Sequence, residues 1–165
     1  MKLSILITLL NEELVLAQTH KAISEQLDSM ILSEQLSDYE ILYVDDGSSD
    51  STLELIDAIA NEHPRVKYIS FSRNFGRESG ILAGFKYATG DAVMVMDGDL
   101  QHPPYLIPLF VEAYKEGYDI VSGQRSREGE SFVGSFFARS FYKFSNHSMD
   151  VKLTDGKSEL RLLSK

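Results

Sequence analysis

Short apolar runs alternate with helical segments along most of this chain, and this alternation constrains the fold more than any other feature. The runs at 3–10, 40–44, 66–71, 92–96 and 119–122 have the length of strands. Helices are predicted between them, at about 14–31, 51–60, 78–88 and 104–115. Strands and helices that alternate across short connections predict an α/β fold with a parallel sheet.

Local patterns refine three of these elements. The first strand, Leu3–Leu10, is almost entirely apolar, as expected of a central strand that is covered on both faces. Ser51 with Glu54 three residues later is the pattern of a capping box, which predicts the start of the second helix. Glycines recur at every fourth position from 76 to 84, and this spacing predicts close packing of the third helix on the sheet.

Composition limits the class of protein. A chain of 165 residues is long enough for one domain with a sizeable core, and we expect a single domain over 1–165. The net charge of −9 argues against a nucleic-acid-binding protein. It does not exclude an anionic ligand, because a metal ion and a few basic residues can hold a phosphate. The chain has no cysteine, so disulfides and thiolate metal sites are excluded.

Polar residues follow each of the first four predicted strands. Asn11-Glu12 follows the first, Asp45-Asp46 the second, Arg73-Asn74 the third and Asp97-Gly98-Asp99 the fourth. Any one of these could simply cap the next helix. Open parallel sheets bind ligands beyond the carboxyl ends of their strands, so the four together predict a binding site at that edge.

The Asp97-Gly98-Asp99 tripeptide predicts a metal site. Two carboxylates about 5 Å apart repel each other by roughly 3 kcal/mol at an effective dielectric constant near 20. A hard divalent cation removes this repulsion, and Mg²⁺ typically binds one or two carboxylates together with substrate phosphates. Glycine-rich phosphate-binding motifs are missing. The four histidines have no metal-ligand spacing, although His102 lies beside the aspartate pair in the sequence.

Three stretches, in order, resemble motifs of the family 2 glycosyltransferases. They read YVDDGSSDST at 43–52, SRNFGRE at 72–78 and MDGDLQHPP at 96–104. Weaker matches occur at 123–131 and 158–162. The chain is similar to the polyprenyl-phosphate branch, which includes dolichol-phosphate mannosyltransferases and bactoprenol glucosyltransferases. The resemblance implies a GT-A fold, a Rossmann-like, mainly parallel sheet with helices on both faces.

The resemblance also implies roles for individual residues. Asp46, with Asp45, would contact the base and ribose of the donor, and Asp97 and Asp99 would hold Mg²⁺ or Mn²⁺ on its diphosphate. The substrate-binding residues implied are Asn11, Glu12, Asp45, Asp46, Arg73, Asp97, Gln101 and Arg127. The catalytic residues implied are Asp99, Arg125 and Glu159.

The implied reaction moves a sugar, with inversion, from a UDP- or GDP-sugar to a polyprenyl phosphate. The acceptor oxygen is already anionic near neutral pH, so positioning by Arg125 matters more than a strong base at Glu159. Two alternatives within the fold stay open, a saccharide acceptor and a non-catalytic nucleotide-sugar-binding module. A receiver domain would have its acidic residues after other strands, and a sugar-nucleotide pyrophosphorylase would have a glycine-rich basic first loop.

The resemblance finally implies partners and a location. The family's membrane helices follow the catalytic domain, which would place a full-length protein on the cytoplasmic face of a membrane, with this segment itself soluble. The aromatic segment at 132–144 is expected either in the core or at the membrane surface, where Arg139 and Lys143 would face anionic lipid. We expect no nucleic-acid partner, and a homo-oligomer stays open.

Overall fold

The computed structural model describes residues 1–99, 101–124 and 157–165, with backbone only at 124 and 157–159. Strands and helices alternate along the chain until β5, as the apolar pattern predicts. The elements are β1 Lys2–Leu9, α1 Leu16–Leu32, β2 Asp38–Asp45, α2 Thr52–Glu62, β3 Val66–Ser70, α3 Arg77–Tyr87, β4 Ala92–Asp97, a short 3₁₀ turn Pro104–Leu106, α4 Ile107–Lys115, β5 Ile120–Gln124 and β6 Lys157–Ser164.

The strands form one six-stranded sheet in the order β3-β2-β1-β4-β6-β5. β1 pairs in parallel with both β2 and β4, and β2 pairs in parallel with β3. β6 runs antiparallel to β4. From β1 the chain first adds β2 and β3 on one side and then adds β4 on the other side. The carboxyl ends of β1 and β4 therefore flank a topological switch point, where open α/β sheets bind ligands.

Alternate residues of β1 face opposite sides of the sheet, because side chains alternate along a strand. Leu3, Ile5 and Ile7 belong to a core that also contains buried residues of α1, α2 and α4. Leu6 belongs to a second cluster, against which Ile81 and Phe85 of α3 pack. Helices therefore cover both faces of the sheet, and the prediction for β1 and for the fold class is confirmed.

Two of the regularly spaced glycines seat α3 on β1. A side chain at Gly80 would meet Thr8 Cγ2 at 2.8 Å, and one at Gly84 would overlap the Leu6 side chain. Gly76 differs, because it precedes the helix with a φ of +91° that other residues rarely adopt. The predicted close packing is confirmed for Gly80 and Gly84, which bring α3 against the centre of the sheet.

Two local features differ from the sequence prediction. The prediction of a capping box at Ser51 is wrong, because the Ser51 side chain makes no capping hydrogen bond. Asp50 accepts from the Thr52 backbone N–H at 3.0 Å instead, and Glu13 accepts from the Ser51 N–H at 2.9 Å. The strand β6 was not predicted at all, although the polar residues Glu159 and Arg161 alternate with Leu160 and Leu162 there.

The described residues belong to two compact units. The first comprises Met1–Val121 and Glu159–Lys165, and the second comprises Ser122–Ser158. All the residues that line the candidate cleft belong to the first unit. The expectation of a single domain stays a prediction. Among the described residues, none of the helices has the length and apolarity needed to cross a membrane.

Candidate active site

A cleft of about 270 Å³ opens at the carboxyl ends of the parallel strands, where the sequence predicts a ligand site. Residues that follow β1, β2 and β4 line it, together with the start of α3. Four of its side chains are carboxylates: Glu12, Asp46, Asp97 and Asp99. The sheet thus brings together acidic residues that are up to 87 positions apart in the sequence, since residues 12 and 99 meet here.

The turn after β4 is fixed to its surroundings. The buried Thr19 hydroxyl on α1 donates to the Gly98 carbonyl oxygen at 2.7 Å. A side chain at Gly98 would overlap Leu9, so this position accepts only glycine without rearrangement. The role of Gly98 in the structure is therefore close packing of the turn on Leu9. The turn therefore holds Asp97 and Asp99 in set positions at the cleft.

Asp97 contacts two nitrogen-bearing side chains. Nη2 of Arg77 lies 2.6 Å from Oδ1 of Asp97, and Nδ1 of His102 lies 3.1 Å from Oδ2. His102 is almost fully buried, which explains why a polar ring lies beside this carboxylate. The position of His102 in the sequence beside the aspartates pointed to this contact. Arg77 lies within the motif at 72–78, but no role was predicted for it.

Asp99 is the more open of the two aspartates. It is exposed, and its Oδ1 accepts from the backbone N–H of Gln101 at 3.0 Å. Burial raises the pKa of Glu12 above its usual value, and the nearby charges of Asp99 and then Asp50 raise it further. Glu12 and Asp99 both line the cleft, so two acidic side chains lie near each other there.

These carboxylates suit a hard divalent cation, whose preferred ligands are oxygens. Beyond the effect of burial, the charges of Asp99 and Asp50 help to raise the pKa of Glu12, and a cation at this point would offset that repulsion. No three acidic or histidine side chains of the described residues are grouped to bind a metal by themselves. The donor set fits a metal that takes one or two carboxylates here and completes its shell with ligand oxygens.

Asp46 is buried and fixes the start of α3. Its Oδ1 accepts from the Phe75 N–H at 2.7 Å and its Oδ2 from the Gly76 N–H at 3.0 Å. These bonds satisfy backbone donors that precede the helix. Asp46 also lines the cleft, so the predicted contact with a nucleoside would have to share this carboxylate with the backbone.

Asp45 does not line the cleft. It is fully buried, accepts from the Ser48 N–H at 3.1 Å through Oδ1, and accepts from the Ser70 hydroxyl at 3.1 Å through Oδ2. Its contacts tie the end of β2 to the next loop and to β3. The sequence predicts a ligand contact for Asp45 with Asp46; in the structure its described contacts are internal.

Asn11 and Glu12 join the end of β1 to the loop that follows β2. Asn11 has a φ of +57°, and its side-chain oxygen accepts from the Ser49 N–H at 2.8 Å. The Glu12 N–H donates to the buried Thr52 hydroxyl at 2.8 Å. Glu12 lines the cleft, whereas Asn11 lies beside it and shapes the loop.

Arg73, another predicted substrate-binding residue, stacks on an aromatic ring. Its guanidinium lies 4.3 Å from the centroid of Phe75, and both residues are exposed. Gly47, with a φ of +76°, packs so tightly on the Arg73 backbone that any side chain there would overlap it. Arg73 therefore lies next to the cleft without lining it.

The remaining residues predicted for the site lie outside the described residues, or are described by their backbone alone. Arg125, Arg127, Arg139 and Lys143 fall outside the described residues, as does the rest of the aromatic segment at 132–144. The Glu159 backbone lies in β6. Val95 pairs with Arg161 in the antiparallel ladder, so Glu159 lies toward the end of β4 that carries Asp97.

Comparison with known proteins matches residues 4–161 to the model of glycosyl transferase family 2. CsbB of Bacillus subtilis (strain 168), provisionally named a glycosyltransferase, is 47% identical over 163 residues, which are 99% of this chain and 48% of CsbB. A prophage bactoprenol glucosyl transferase homolog of Escherichia coli (strain K12) is 36% identical over all of this chain and 53% of its own length. The chain spans about half the length of the curated relatives it matches.

Solved structures share the fold at low sequence identity. The mannosyltransferase PcManGT of Pyrobaculum calidifontis, in complex with GDP-Man and Mn²⁺, has a TM-score of 0.65 and 19% identity, over 98% of this chain and 44% of that one. Glucosyl-3-phosphoglycerate synthase of Mycobacterium tuberculosis with UDP has a TM-score of 0.64 and 22% identity, over 99% of this chain and 56% of that one. The predicted GT-A fold is confirmed.

Proposed function

The chain belongs to glycosyl transferase family 2, and on this premise we propose that it transfers a sugar from a nucleotide-sugar donor to a polyprenyl phosphate. The observation that carries the proposal is the acidic cleft at the switch point of the sheet, with Asp97 and Asp99 held at the end of β4. The relatives named bactoprenol glucosyl transferase, at 35–36% identity, support this acceptor class.

The donor would bind in the cleft through its nucleoside diphosphate. PcManGT with GDP-Man and Mn²⁺, and the synthase with UDP, are neighbours in fold, and this supports a nucleotide-sugar donor and a divalent cation. Asp99, exposed at the cleft, and Asp97 would hold Mg²⁺ or Mn²⁺. Bound there, the cation would stabilise the negative charge that develops on the leaving diphosphate.

The protein's own groups would orient the donor. Glu12 and Asp46 line the side of the cleft nearest β1 and β2, where the nucleoside would lie. Arg73 and Gln101 lie beside the cleft, within the motifs that resemble the family. In this proposal, Asp45 and Asn11 support donor binding by holding the surrounding loops.

The acceptor would approach from the side of β4 and β6. A phosphate oxygen of the lipid would attack the anomeric carbon, the bond from that carbon to the diphosphate oxygen would break, and the sugar's configuration would invert. Arg125 and Arg127 would position the acceptor phosphate, and Glu159 would assist. A full-length protein would act at the cytoplasmic face of a membrane, where its lipid acceptor lies.

Transfer of radiolabelled sugar into the organic-soluble fraction tests the proposal. The protein is incubated with undecaprenyl phosphate, Mn²⁺ and either UDP-glucose or GDP-mannose. We expect product with one donor, loss of product in EDTA, and about a hundredfold less product for Asp99→Asn. Glu25→Gln, which removes one exposed charge from α1, is the matched control and should react normally.

The same assay separates the alternatives. Transfer to an oligosaccharide but not to the lipid phosphate would replace the acceptor. Tight nucleotide binding without turnover, in a protein that includes any following membrane segment, would favour a non-catalytic binding module. Product formation that is indifferent to both EDTA and Asp99→Asn would contradict the metal assignment.

A further inference from the structure

Arg77 is the one basic side chain that lines the cleft among residues 1–99, 101–124 and 157–165. It is the first residue of α3 and is partly exposed, with a side-chain exposure of 32%. All the other charged residues of the cleft are acidic. A diphosphate that enters this cleft would therefore meet a single described cation of the protein.

The Arg77 guanidinium binds Asp97 in the structure. The distance of 2.6 Å from Nη2 to Oδ1 is that of a strong, charge-assisted hydrogen bond. Asp97 is also a proposed metal ligand. One carboxylate oxygen cannot serve the guanidinium and a divalent cation equally well, because the two positive charges would repel each other at that distance.

The backbone at Arg77 is fixed, whereas its side chain lines the cleft and is partly exposed. Asp46 binds the N–H groups of Phe75 and Gly76 just before it, and Gly80 seats the helix on β1. Because the helix is held in place, a change of partner at Arg77 would occur by rotation of the side chain. A guanidinium has five N–H donors in a planar fork that fits phosphate oxygens as well as carboxylates.

We propose that Arg77 is a diphosphate-binding residue that holds Asp97 in the nucleotide-free protein and moves to the phosphate oxygens when a divalent cation and a nucleotide enter the cleft. This inference rests on the proposed function for its donor class. Arg77 therefore has opposite effects on two affinities. It weakens cation binding to the nucleotide-free protein, because it competes for Asp97, and it strengthens nucleotide binding once the cation is present.

The opposite signs give a direct test that needs no turnover. Mn²⁺ binding to the nucleotide-free protein is measured by electron paramagnetic resonance, and UDP and GDP binding in Mn²⁺ by calorimetry. For Arg77→Gln we expect Mn²⁺ to bind several-fold more tightly and the preferred nucleoside diphosphate to bind about 10- to 100-fold more weakly. Arg77→Lys keeps the charge without the fork and should be intermediate.

The control is Lys86→Gln, which removes the same charge from an exposed position on the same helix. It should leave both affinities unchanged. The unphosphorylated nucleoside should bind Arg77→Gln and the unchanged protein alike, because the lost contact is to phosphate. Thermal midpoints of all variants confirm that each is folded.

A double-mutant cycle with Asp97→Asn separates phosphate binding from simple positioning of Asp97. If Arg77 binds phosphate, Arg77→Gln should weaken diphosphate binding in the Asp97→Asn background too. No further loss there, or loss of Mn²⁺ and nucleotide binding together, would overturn the inference and make Arg77 a positioning residue. If the unchanged protein binds neither UDP nor GDP, the proposed function fails and this inference with it.

Discussion

Asp46 serves the fold and the cleft with the same two oxygens. Both accept backbone hydrogen bonds from the loop before α3, and the side chain is 4% exposed while it lines the cleft. Arg77 begins the helix that this loop precedes. A substitution at Asp46 is therefore expected to change the stability of the fold as well as ligand affinity. A residue that only bound a ligand would leave the stability unchanged.

We predict that Asp46→Ala lowers the free energy of unfolding by about 1 to 3 kcal/mol, because the N–H groups of Phe75 and Gly76 lose a charged acceptor. Urea denaturation followed by circular dichroism measures the loss. Asp46→Asn retains one acceptor and should be intermediate, and Glu25→Ala on the exposed face of α1 should have little effect. An Asp46→Ala midpoint equal to that of Glu25→Ala would show that the two bonds do not stabilise the start of α3.

At the scale of elements, the sequence predicts most of the sheet for a physical reason. β1 and β4 are apolar because both faces are covered, and that requirement leaves a continuous signal in the sequence. β6 was not predicted, because its partner β4 lies more than 60 residues earlier in the sequence. Such long-range pairing leaves only a weak period-two pattern in the sequence. The predicted capping box is replaced by other contacts, because Glu13 binds the Ser51 N–H, which Glu54 would bind in a capping box, and Asp50 binds the neighbouring Thr52 N–H.

The candidate site was predictable to a similar extent. Topology alone brings Glu12, Asp46, Asp97 and Asp99 to one edge, since each lies at or just beyond the carboxyl end of a parallel strand. The partner of each carboxylate was not predictable, because it depends on side-chain packing between elements. The contact between Arg77 and Asp97 is the clearest case, since it joins the start of α3 to the end of β4.

His20, a polar residue in the buried stripe of α1, packs against residues of two other parts of the fold. His20 is 7% exposed, and its Nδ1 lies 3.1 Å from the hydroxyl of the fully buried Tyr43 on β2. Its ring centroid lies 4.9 Å from that of His63, which follows α2. Burial lowers the pKa of His20, and the charge of His63 lowers it further.

This lowered pKa predicts an acid-sensitive contribution to stability. The folded state keeps His20 neutral, while the unfolded chain takes up a proton near pH 6.5. The contribution is therefore complete above about pH 6.5 and is lost as the pH falls below it, with a slope of at most about 1.4 kcal/mol per pH unit. His20→Gln should show a shallower decrease in the free energy of unfolding between pH 7.5 and 5.5.

Ile23→Val is the control for the His20 experiment, because it weakens the same buried stripe by about 1 kcal/mol without removing a titratable group. It should shift the whole curve of stability against pH and leave its slope unchanged. Equal slopes for the unchanged protein and His20→Gln would mean that His20 titrates alike in the folded and unfolded states.

At the scale of the whole molecule, the net charge of −9 and the acidic cleft act in the same direction. Both would repel an anionic donor, so the proposed nucleotide binding would need local cations, which the proposals assign to Arg77 and a divalent metal. The region that matches the family, 4–161, begins in β1 and ends in β6. These two strands share one hydrophobic core, because Leu160 and Leu162 of β6 belong to the same cluster as Leu3 and Ile5 of β1.

This shared core predicts that the C-terminal strand contributes to the stability of the entire first unit. Leu162 is fully buried and lies opposite Met94 in the ladder. We expect Leu162→Ala to lower the free energy of unfolding by about 2 to 5 kcal/mol, because the truncation removes buried methyl groups and leaves a cavity. Urea unfolding followed by circular dichroism and by tyrosine fluorescence should show one coincident, shifted transition.

The neighbouring Arg161→Ala provides the matched control, since Arg161 is exposed on the same strand and should cost little. Leu162→Val, a smaller truncation, measures the same effect if Leu162→Ala leaves too little folded protein. A midpoint for Leu162→Ala equal to that of Arg161→Ala would contradict the shared core. Two separate transitions would mean that β6 unfolds independently of β1 and β4, and the cleft would then depend on the parallel strands alone.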